Sequence, residues 1–107
     1  MSKQLVNIVE FSKLYNILSE IKNLFIFNIY NYDDSKDFVK QIELDNTECI
    51  NSAVILQNKK SLLLSNPKII QSNILILDEL PVKIEKILDK INSQLIKQRY
   101  NFQSKLN

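Results

Sequence analysis

The sequence predicts an α/β domain, a three-layer sandwich with helices on both faces of a mainly parallel sheet of four to five strands. Three observations carry this. Short β-branched runs alternate with stretches whose apolar residues recur at spacings of three and four. Leu24 to Tyr30 and Ile74 to Leu77 are nearly continuous in apolar residues, as strands buried on both faces are. The chain closes on one long amphipathic stretch free of interior Pro or Gly.

Each element follows from its residues. Leu5 to Val9 is short and β-branched and reads as a first strand. Phe11, Leu14, Tyr15, Leu18 and Ile21 mark one face of a helix. Leu24 to Tyr30 is a second strand, expected to be buried on both faces. Asn31 to Ser35 is a polar turn, in which Asp34 or Ser35 caps the next helix and Asp37 adds favourable charge to its first turn. Phe38, Val39 and Ile42 form the buried face of that helix. Asp45 to Asn51 reads as a loop and Ser52 to Gln57 as a third strand. The connector 58–72 holds Leu62-Leu63-Leu64, which suits a strand or a helical turn equally, and Asn66-Pro67 ends it. Ile74 to Leu77 is the last strand. Pro81 suits the first turn of a final helix running beyond Arg99, with Ile84, Leu88, Ile91 and Leu95 on its apolar stripe.

Composition narrows the function. The chain of 107 residues fits one domain, taken as 1–100, followed by a linker or tail over 101–107. It contains no His, no Gly and no Trp. The commonest general base and zinc ligand is therefore absent, and so is any glycine-rich phosphate loop. The net charge is +2 and the pI near 8.6, with Arg99 the only arginine. That balance does not make the dense basic face of a DNA reader. Cys49 is the sole cysteine and reads as a small core residue. No cofactor and no resident metal is expected. Neither a signal-peptide pattern nor a membrane-length apolar run occurs, so a cytoplasmic protein is expected.

The segment NILILDELPVKIEKILDKINSQLIKQ, from Asn73 to Gln98, resembles the last strand and helix of the receiver domain of two-component response regulators of the winged-helix, OmpR-like type. Leu80-Pro81 stands where that family has Lys-Pro, and Ile87-Leu88-x-x-Ile91 matches its helix. The order of the earlier elements also fits, so the resemblance implies a flavodoxin/receiver-like fold with a shortened middle and a long C-terminal helix. It implies an acidic pair after the first strand, a phosphoacceptor Asp after the third and a Lys after the last. Here the first strand offers only Glu10, the third ends in Gln57, and Leu80 replaces the Lys. An amide is a very poor nucleophile, so Gln57 marks a vacant phosphoacceptor position, with Lys59 and Lys60 as solvated loop charges behind it.

A rival register of the same resemblance stays open. Asp33-Asp34 follows a strong strand, and Asp78 ends another, with Pro81 close behind. Asp33, Asp34 and Asp78 would then form a Mg²⁺-dependent phosphoacceptor site. The plainer reading makes Asp33-Asp34 a capping turn and Asp78-Glu79 favourable charge at a helix N-terminus.

The expectation is a non-catalytic regulatory and dimerisation domain of a response-regulator-like transcription protein, not phosphorylated and not an enzyme. A homodimer would form through the C-terminal helix by Ile84, Leu88, Ile91, Leu95, Ile96 and Tyr100, the stripe continuing toward Phe102. DNA would be reached only through an attached domain, absent from this chain as from an excised or truncated fragment. A stand-alone protein-binding adaptor is the further alternative.

Overall fold

The computed structural model describes residues 4–58, 62–78 and 83–106. Four strands, β1 (Leu5–Val9), β2 (Asn28–Tyr32), β3 (Ala53–Leu56) and β4 (Ile74–Ile76), form one sheet in the order β2-β1-β3-β4. Every pairing is parallel. The helices are α1 (Ser12–Ser19), α2 (Ser35–Glu43), the single turn α3 (Thr47–Ile50) and the long α4 (Ile84–Leu106). The expected α/β sandwich with a parallel sheet and a long final helix is thus the observed one.

Strand alternation sends each side chain to one of two cores. Val6, Ile8, Ala53 and Ile55 point to the side covered by α1, through Leu14 and Leu18, and by α4, through Ile87, Ile91 and Leu95. Val9, Val54 and Leu56 point to the opposite side, covered by Phe38 and Ile42 of α2, Cys49 of α3, and Leu63 and Ile69 of the connector. The two central strands, β1 and β3, are therefore buried on both faces.

Two expectations change, and one open alternative is decided. The run Leu24 to Tyr30 is not one doubly buried strand. Lys22–Leu24 forms a 3-10 turn and β2 starts only at Asn28. As an edge strand, β2 buries little of its outer surface, and Leu24 and Ile26 stay 78% and 76% exposed. Phe25 and Phe27, alternating with them, stack in the core with centroids 4.3 Å apart. The segment read as a loop contains α3, capped by the Asn46 side chain, which accepts from the Cys49 N–H at 3.3 Å. The connector folds as 3-10 turns at Leu62–Ser65 and Gln71–Asn73, so Leu62-Leu63-Leu64 takes the helical-turn alternative. Lys59, Lys60, Glu79, Leu80 and Pro81, and the side chain of Phe102, lie outside the described residues.

With no Gly in the chain, left-handed positions fall to other residues. Glu10 has φ 53° and Asp45 φ 58°. Asp34 caps α2, its carboxylate accepting from the Lys36 N–H at 2.9 Å. At the other end of α2, Asp45 N–H donates to Ile42 O at 3.1 Å and Asn46 N–H to Gln41 O at 3.2 Å. That is a Schellman closure with Asp where Gly is usual. The Asp45–Lys68 ion pair, at 3.6 Å and well exposed, offsets little of the strain. Asp45→Gly is expected to stabilise the fold by about 0.5–1 kcal/mol, raising Tm by a few degrees in a thermal melt.

Candidate functional site

In the order β2-β1-β3-β4, the chain leaves β1 toward β2 and leaves β3 toward β4. The loops at the carboxyl ends of β1 and β3 therefore diverge, and ligands of open α/β sheets bind in such a crevice. Its residues here are Glu10 after β1 and Gln57 and Asn58 after β3. β1 and β3 are paired neighbours, so the loop with Glu10 and the loop with Gln57 leave the same end of the sheet from adjacent strands. Glu10 is exposed, and its N–H donates to Tyr32 O at 2.8 Å, fixing the turn against β2. Gln57 and Asn58 are exposed as well. Among the described residues of these two loops Glu10 is the one acid, so a cation would find no second carboxylate there.

The three aspartates of the rival register do not meet. Asp33 and Asp34 follow β2, and Asp78 follows β4, at opposite edges of the sheet. Three inter-strand gaps separate those edges, about 14 Å at roughly 4.8 Å per gap. A single Mg²⁺ binds oxygens at about 2.1 Å and does not reach across that span. Asp33 instead accepts from Asn31 Nδ2 at 2.8 Å, and Asp34 is the α2 cap. Among the described residues, no group of three or more His, Cys, Asp and Glu is placed to hold a metal ion.

The helical stripe divides in two. Ile91 and Leu95 are core residues at 0% and 5% exposure, and Ile84 and Leu88 pack half-buried against the same cluster. Those four hold α4 on the sheet. Ile96 and Tyr100, at 65% and 72%, are the part of the stripe that faces solvent.

Two polar features went unread in the sequence. Asn7, fully buried in the middle of β1, donates from Nδ2 to Ser52 Oγ at 2.7 Å, and Ser52 Oγ donates to Cys49 O at 2.7 Å. This chain ties β1 to the start of β3 and the end of α3. The signal was one amide inside an apolar strand. Nearby, burial and then contact with Cys49 Sγ at 3.8 Å push the Tyr32 phenol up from its ordinary range. The second feature is an open groove of about 430 Å³ beside β4, flanked by Leu75 and Ile76 and by Lys90, Gln94 and Lys97 of α4. Gln94 is already engaged there, donating to Ser72 O at 2.7 Å.

In comparison with known proteins, the chain matches no family model, no curated protein and no solved structure. No described helix is long and apolar enough to cross a membrane.

Proposed function

We propose that this chain is a non-catalytic regulatory domain, receiver-like in plan, whose phosphoacceptor position is vacant and which acts through protein contacts. The observation that carries the reading is Gln57 at the carboxyl end of β3, in the loop beside the one that carries Glu10 after β1. That is the point where a receiver would place its acceptor Asp opposite its metal-binding acids. The strand order supports the same plan, since it equals the first four strands of the flavodoxin-like order 2-1-3-4-5. Connection of the domain to transcription, through an attached winged-helix domain, belongs to this proposal.

The test is exposure of the protein to acetyl phosphate, and separately to beryllofluoride, with and without Mg²⁺. Intact-mass spectrometry and amide NMR shifts are the readouts. No Mg²⁺-dependent adduct and no shifts around Glu10, Gln57 and Asn58 are expected. Mg²⁺-dependent modification at any carboxylate overturns the reading.

A further inference from the structure

The end of α4 is held differently from its start. Ile87, Ile91 and Leu95 anchor the helix in the core. Beyond Leu95, no described side chain of α4 joins either core cluster, and Ile96 and Tyr100 stay exposed. The fastenings there are polar. Gln98 Nε2 donates to Asn51 O at 3.3 Å, and Gln98 Oε1 accepts from Gln94 Nε2 at 2.9 Å. The same Gln94 amide donates to Ser72 O at 2.7 Å. Arg99 Nη2 donates to Gln4 Oε1 at 2.7 Å, and Gln4 Nε2 donates to Leu95 O at 3.4 Å. Gln4 stands just before β1, Asn51 just before β3 and Ser72 just before β4. Those three strands are consecutive in the sheet, so the contacts tie α4 to its amino-terminal edge.

We infer that α4 beyond Leu95 is a releasable strap, fastened to the amino-terminal edge of the sheet by two clasps, Gln98 and Arg99. Gln94 and Leu95 are the fixed base. Gln94 is buried and keeps its bond to Ser72 O, and Leu95 stays in the core. Opening the strap trades two exposed hydrogen bonds for bonds to water, a nearly balanced exchange. It hydrates no described core side chain, so the hydrophobic effect does not hold it shut. Local opening of this kind costs far less than global unfolding. The clasps are also sensitive to position. Such bonds need donor and acceptor within about 3 Å, so a shift of roughly 1 Å in the segment before β1 or β3 breaks one. The strap thereby passes the state of the sheet's amino-terminal edge to the end of α4. That edge is the far end of the strands from Gln57, so the strap does not depend on a vacant phosphoacceptor position.

Native-state hydrogen exchange by NMR in low urea tests this, on the unmodified chain and on Gln98→Ala, Arg99→Ala and Lys97→Ala. In the unmodified chain, amides 100–106 are expected to exchange at least about a hundredfold faster than amides 88–95, at rates that urea leaves unchanged. Gln98→Ala and Arg99→Ala should each speed exchange of 100–106 by about two- to tenfold. Amides 88–95 and the urea midpoint should stay as they were. Alanine is the strongest helix former, so that acceleration reports a lost clasp and not a weakened helix. Lys97 is exposed on the same turn, and Lys97→Ala, the control, should not speed exchange. Equal protection along the whole of α4 overturns the inference. So do clasp variants that leave exchange of 100–106 unchanged, or a control that speeds it as much. A urea midpoint that falls with the clasps overturns it too, because the contacts are then part of the global fold.

Discussion

Leu95→Asp should unfold the protein, not just part a dimer. Leu95 is 5% exposed and lies under α4 in the cluster it shares with Ile91, Ile55 and Leu14. Removing a buried leucine costs about 2–5 kcal/mol. An unpaired carboxylate in its place adds several more, because the side chains packed around it in that cluster are apolar. A domain of this size holds only about 5–15 kcal/mol in total. The expected result is loss of the cooperative urea transition at neutral pH. Burial raises a carboxyl pKa, so the folded form gains relative to the unfolded one as pH falls toward the point where the new Asp protonates. A folded Leu95→Asp protein with a normal transition at pH 7 would show that this face of α4 is not packed on the sheet.

Phe38→Ala is expected to cost about 3–5 kcal/mol. Phe38 is fully buried, and its ring meets Tyr32 edge-on at 5.3 Å and 68°. Such a pair contributes about 0.5–1.5 kcal/mol beyond area burial. The position matters because α2 has so few anchors. Its buried side chains are Ser35, Phe38 and Ile42, so Phe38 supplies most of the apolar surface that keeps the helix on the sheet. A lowered urea midpoint with an unchanged slope is the signature of a cavity in an otherwise intact fold. A change below about 1 kcal/mol would mean that α2 does not depend on this core.

Legibility followed the range of the interactions involved. The strand Leu5–Val9 and the helix face of Leu14 and Leu18 were readable because their periods are set by neighbours in sequence. The four-residue helix α3 was not, since one turn shows no period and its only local sign is the Asn46 cap. Within the site, Gln57 at a strand end was readable, whereas Asn7 looked like one polar interruption until Ser52 came beside it. Leu24 and Ile26 were misread as core because an apolar run looks the same in the lead-in to an edge strand as in a buried central strand.

Taken by itself, the sequence determined the α/β alternation, the type of the strongly periodic elements and the lack of a histidine, a glycine loop or an Asp at the end of β3. These depend on local backbone preference and on which side chains exist at all. The tertiary structure alone decided that β2 and β4 take the two edges, which separates Asp33 and Asp34 from Asp78 and puts the loops after β1 and β3 on adjacent strands. It also decided which part of the α4 stripe is core and which faces solvent. Strand order and burial arise from contacts between residues far apart in the chain, and no pattern within one segment encodes its neighbour.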